Sequence, residues 1–161
     1  MTKYIVDSSA LIDAKETYPI DNFPTFWKHV HELNIKGDLI IPKMVKEELS
    51  RGSEKDYLTK KFFNGKIITD DEMPEIVREF PLMMEELPEG LKSGLLEWKG
   101  ADPYIIARAR YLKKELEDDV VVIHSEKAAS GRSIPSLCNK MGINHKGPSY
   151  LITDQKLVFK H

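Results

Sequence analysis

A chain of 161 residues fits one globular domain, residues 1–161, and its 24 Lys and Arg against 26 Asp and Glu leave a net charge of −2. That balance excludes a protein that coats nucleic acid through bulk positive charge, but not a nuclease, because divalent cations in a carboxylate pocket would turn it positive. The single Cys138 excludes an internal disulfide or a multi-thiolate metal knuckle. Apolar runs such as Leu39–Ile41 and Val120–Ile123 fall far short of the roughly 18–20 residues of a membrane span, and the N-terminal apolar run breaks at Asp7, so an untargeted cytoplasmic protein is expected.

Lys3–Val6 is β-branched and aromatic and predicts a strand, followed by small hydroxyl residues at Ser8 and Ser9 that suit a helix start. Phe23, Phe26, Trp27, Val30 and Leu33 repeat at helical spacing between Pro24 and Gly37, which predicts an amphipathic helix. Leu39–Ile41 predicts a second strand, closed by Pro42 in the first turn of a helix that runs through Leu49 and ends at Gly52.

Glu54–Leu87 reads as mostly helical, with apolar positions at Tyr57, Leu58 and Phe62 and then at Met73, Ile76, Val77 and Phe80 before Pro81 interrupts. The Lys66–Thr69 link suits an extended conformation, and Met83, Met84 and Leu87 read as core filler. Residues 88–101, with Pro88, Gly90, Gly94 and Gly100, read as a mobile connection. Asp102-Pro103 opens a helix with Ile105, Ala109, Leu112 and Leu116 on one side and Arg108, Lys113 and Lys114 towards solvent. Val120–Ile123 is a strand, and Ser133 starts a helix with Pro135 in its first turn that stops before Gly142, with a short strand near Ile143. Alternating strands and helices predict an α/β fold of three α/β/α layers, a central parallel sheet whose ligand crevice lies beyond the strand carboxyl ends.

Four acidic residues fall at that crevice. Asp7 ends the first strand; Glu126 follows the Val120–Ile123 strand; Asp102 opens a helix. Glu48 shares a helical arc with Val45 and Leu49, whereas Glu47 points away, at about 100° per residue. Each also has a plain structural reading as a cap or first-turn acid. Convergence of all four at one sheet edge is not explained by capping. Clustered carboxylates repel unless a cation neutralises them, and hard oxygen ligands favour Mg²⁺ or Mn²⁺, whose chemistry on a phosphodiester is hydrolysis.

The ordered segments YIVDSSALIDA, IPKMVKEELSRG, ADPYIIARA and VVVIHSEKAA resemble the four acidic signatures of PIN domains, and NFPTFW and SIPSLCNKMGI resemble a PIN-like subgroup of small prokaryotic proteins related to VapC toxins. The resemblance implies a Mg²⁺- or Mn²⁺-dependent endoribonuclease with Asp7, Glu48, Asp102 and Glu126 as catalytic metal ligands and Ser9 as a polar helper. It also implies a cognate antitoxin protein as partner, with a homodimer as a further expectation. Many PIN domains have Thr-x-Asp where this chain has His124-Ser125-Glu126, so the last carboxylate stands one methylene further out.

Basic residues expected to grip an RNA backbone are Lys60, Lys61, Arg108, Lys113, Lys127 and Arg132, with His124 as a further substrate contact. A zinc site is disfavoured, because His29 and His31 face different sides of a helix and Cys138 has no thiol partner nearby in sequence. Neither GxGxxG nor a P-loop occurs, and the second Asp of a haloacid-dehalogenase-like phosphatase is replaced by Ser9. The rival reading is a PIN-like module without turnover that binds RNA or protein.

Overall fold

The computed structural model describes residues 2–51, 61–87, 102–126 and 133–159. Five parallel strands, β1 (Thr2–Val6), β2 (Leu39–Pro42), β3 (Ile68–Thr69), β4 (Asp119–Ile123) and β5 (Asn144–Lys146), form one sheet in the order β3-β2-β1-β4-β5. The helices are α1 (Ser8–Thr17), α2 (Pro24–Ile35), α3 (Lys43–Arg51), α4 (Pro74–Val77), α5 (Glu79–Glu86), α6 (Asp102–Glu115), α7 (Ile134–Met141) and α8 (Ser149–Asp154).

The chain works outward from β1 to β2 and β3, then returns to β4 on the other side, so the order reverses between β1 and β4. Right-handed crossovers then place the helices of the first half on one face and those of the second half on the other. The packing agrees: α2 and α3 lie on β2 and α1 on α3, whereas α6 lies on β4 and packs against α4, α5 and α7. This is the expected α/β architecture with a fully parallel sheet. Both its faces are covered, which is why Tyr4, Ile5, Val122 and Ile123 are completely buried.

The β1–β4 register runs from Thr2 opposite Asp119 to Val6 opposite Ile123, so both strands end level and deliver Asp7 and His124–Glu126 to the same edge. In open parallel sheets this reversal point is where the crevice opens. Gly142 closes α7 in the left-handed conformation at φ 66°, its N–H donating to the Cys138 carbonyl. Cys138 itself is a core residue, and burial pushes its thiol up to about 12.

Several local readings are corrected. Pro42 is the last residue of β2 rather than a first-turn helix residue. Pro81 does not interrupt: it sits in the first turn of α5, where its missing N–H has no intrahelical partner to lose. Leu116 is exposed, because α6 stops at Glu115 and Glu117 takes a positive φ of 52°. The C-terminal stretch, which the pattern leaves ambiguous, contains α8. Gly52, Tyr57, Leu58 and the 88–101 connection lie outside the described residues. Among the described residues no helix is long and apolar enough to cross a membrane.

Candidate metal centre

Asp7 follows β1 and caps α1. Its Oδ2 accepts from the Ser9 N–H at 3.3 Å and from the Ser9 hydroxyl at 2.6 Å. The other oxygen, Oδ1, is buried with no hydrogen-bond partner among the described residues, and the whole residue is 1% exposed. Capping therefore explains one oxygen and leaves the second without a partner. Burial raises the Asp7 carboxyl to about 6; the Ser9 hydroxyl opposes this, and the charges of Glu126 and Glu48 add to it.

Asp102, the first residue of α6, is raised further, to about 8, by burial and then by the charges of Asp7, Glu126 and Glu48. Asp7, Asp102 and Glu126 each offer an oxygen, and these atoms lie within 4.8 Å of one another. Glu126 is held there by α7, whose first N–H, on Ile134, donates to Glu126 Oε2 at 2.9 Å. The structure thus brings three of the four expected carboxylates together.

Glu48 stands beside this trio, close enough to push both aspartates up but outside the cluster itself. It lies half-buried on α3, with Val45 and Leu49 buried alongside and Glu47 exposed, as the helical phase requires. The Ser8 hydroxyl donates to its Oε2 at 2.8 Å and ties it to α1. Ser9 also holds the far side of the site, accepting from the Ser125 N–H at 3.0 Å.

Two expected substrate contacts are corrected. Arg108 does not face solvent: it is 5% exposed, and its guanidinium donates to the Asp70 carbonyl and pairs with Asp71 Oδ1 at 3.4 Å. Burying a guanidinium is tolerated because these partners, from the segment after β3, meet its charge. Arg110 is buried in the same way against Glu79 and Glu86. His124 is also buried, and both its ring nitrogens are engaged, Nδ1 with the Glu126 N–H at 3.1 Å and Nε2 with His145 Nδ1 at 2.8 Å. Burial and the neighbouring His145 lower its pKa.

Lys61 and Lys113 are exposed, Lys113 donating to the Gly142 carbonyl; Lys60, Lys127 and Arg132 lie outside the described residues. His29 and His31 diverge as expected, the first meeting Gln155 and the second Lys66. Features that the sequence reading missed are Ser8, Ser125, whose hydroxyl donates to Asp13 at 2.8 Å, and His145. A groove of about 670 Å³ on the solvent side of α3 is lined by Lys43, Lys46 and Arg51 together with Glu47 and Asp70. The spacing of those cations along IPKMVKEELSRG was its available signal.

The residues present fit a hard divalent cation. Three converging carboxylates, one with a buried oxygen that has no donor among the described residues, and two aspartates raised by burial and then by neighbouring carboxylates form an oxygen-only donor set of the kind Mg²⁺ and Mn²⁺ take. No curated protein matches the chain. The model of one family, described as a domain of unknown function (DUF4411), matches residues 4–159, and the chain belongs to that family.

Proposed function

We propose that the protein is a PIN-like, Mg²⁺- or Mn²⁺-dependent endoribonuclease that hydrolyses RNA phosphodiester bonds, working as the toxin of a toxin–antitoxin pair. The observation that carries this reading is the meeting of Asp7, Asp102 and Glu126 within 4.8 Å around an Asp7 oxygen that has no partner among the described residues, at the reversal point of a parallel sheet. A bound divalent cation supplies Lewis acidity, lowering the pKa of water and neutralising phosphate oxygens.

The chain's own residues prepare the site. Asp7, Asp102 and Glu126 would hold the cation. Ser9 keeps Asp7 in a single orientation, leaving one oxygen free to coordinate. Ser8 holds Glu48 next to the cluster, where its carboxylate can orient water or take up a share of the cation. Among the described residues, Lys43, Lys46 and Arg51, rather than the buried Arg108, are exposed cations on the outer face of α3 that a phosphate backbone could meet on its way to the site.

The test is incubation of the purified full chain with end-labelled RNA and Mn²⁺, with and without chelator, beside Asp102→Asn. Cleavage that needs the metal and Asp102 supports the reading. RNA retention in a gel shift with no cleavage favours the binding module instead.

A further inference from the structure

The segment that carries Glu126 is pinned through three successive backbone N–H groups. His124 donates to the Lys146 carbonyl of β5 at 3.0 Å, Ser125 to Ser9 Oγ of α1 at 3.0 Å, and Glu126 to Nδ1 of His124 at 3.1 Å. The last of these fixes a direction. A backbone N–H can only donate, so Nδ1 of His124 accepts, and in a neutral imidazole the proton then sits on Nε2.

Nε2 of His124 lies 2.8 Å from Nδ1 of His145 and must donate to it. The proton of His145 is therefore on its own Nε2, 2.8 Å from Asn139 Oδ1, which accepts. Each link has one donor and one acceptor, and the backbone sets the order of all three. The chain also closes on itself structurally. Asn139 belongs to α7, the same helix whose Ile134 N–H grips the Glu126 carboxylate. Helix α7 thus holds Glu126 at its carboxylate directly and at its backbone through two imidazoles.

We infer that the Asn139–His145–His124 chain is a positioning device that locks the backbone of Glu126 and with it the approach of its carboxylate to Asp7 and Asp102. This rests on the reading of Glu126 as a metal-holding residue. None of the three side chains belongs to the carboxylate cluster; they act through Glu126, as outer partners of ligands commonly do. Packing alone would make a different demand: a ring at position 145, whatever its hydrogen bonds.

The experiment is calorimetric titration of Mn²⁺ into the full chain and its variants. His145→Phe keeps the ring and removes both hydrogen bonds, and is expected to weaken Mn²⁺ binding by about 10–100-fold. His145→Gln, whose amide can accept from His124 and donate to Asn139, is expected to stay near the parent. Should His145→Phe fail to fold, the exposed Asn139 gives a second pair: Asn139→Leu weakens binding and Asn139→Asp, which keeps the acceptor, does not. If His145→Phe and Asn139→Leu bind Mn²⁺ as the parent does while Asp7→Asn does not, the chain is overturned and the metal site stands. A parent that takes up no Mn²⁺ overturns both. Imidazole nitrogen NMR of the parent reads the chain without metal: both histidines carry their proton on Nε2, and a proton on Nδ1 of either overturns the inference.

Discussion

Arg108 Nη2 lies 3.4 Å from Asp71 Oδ1, and the other oxygen of that carboxylate accepts from the Met44 N–H of α3 at 2.8 Å. One buried ion pair therefore joins α6, which begins with Asp102, to α3, which carries Glu48. Both side chains are almost fully buried, so removing one partner strands a charge in the interior.

Arg108→Ala is accordingly expected to destabilise the fold by about 3–5 kcal/mol, read by urea unfolding. Its effect on cleavage should follow from misplacing Asp102 against Glu48. Unchanged stability with weakened RNA affinity would return Arg108 to the role of substrate contact.

Asp7→Asn and Asp102→Asn are expected to abolish metal-dependent cleavage and, in chelator at pH 8, to stabilise the protein by on the order of a few kcal/mol, Asp102→Asn by more than Asp7→Asn because its carboxyl is raised further. The charge they remove is one the fold holds at a cost, since a pKa unit corresponds to about 1.4 kcal/mol. Urea unfolding beside the RNA assay checks both. Loss of stability in both variants would mean that these carboxylates are structural.

The pH dependence follows from the same two groups. Their native pKa values, about 6 for Asp7 and about 8 for Asp102, lie above the unfolded aspartate value of about 4. Between those limits the native state binds more protons than the unfolded chain, so stability falls as pH rises. The contribution is fully present below about pH 4 and lost once pH passes about 8. Unfolding free energies of the chelated protein across that range should decline, and saturating Mn²⁺ should flatten the decline. A rise in stability attributable to these residues over the same range would contradict the shifts.

Glu48→Gln is expected to lower activity by about 10–100-fold while Glu47→Gln leaves it near the parent value, because only Glu48 faces Ser8 and the aspartates. Ser8→Ala should move in the same direction as Glu48→Gln and less far. Equal effects at 47 and 48 would place the site elsewhere than the inner side of α3.

The parts legible in the sequence were those set by local pattern. The period of Phe23, Phe26, Trp27, Val30 and Leu33 gave α2, and Ser133, Pro135 and Gly142 gave both ends of α7. That Asp7 and Glu126 meet at one sheet edge is legible because a strand end is a position in the fold as well as in the chain. Arg108 differs from its pattern because helical periodicity ranks arginine as a surface residue and is blind to carboxylates arriving from another segment, here Asp71. The His124–His145 contact was hidden for a related reason. It exists only because β4 and β5 pair with Val122 opposite His145, a register no local pattern encodes.

The most direct measurement of the central claim, that Asp7, Asp102 and Glu126 hold a divalent cation, is a calorimetric melting scan with and without millimolar Mn²⁺. Binding to the folded state alone stabilises by about 2.7 kcal/mol at a hundredfold excess over Kd, which for a chain of this size raises Tm by roughly 5–11 °C. Asp7→Asn should shrink that shift and the exposed Glu117→Gln should leave it intact. A scan in which millimolar Mn²⁺ leaves the parent's Tm unmoved would contradict the metal centre.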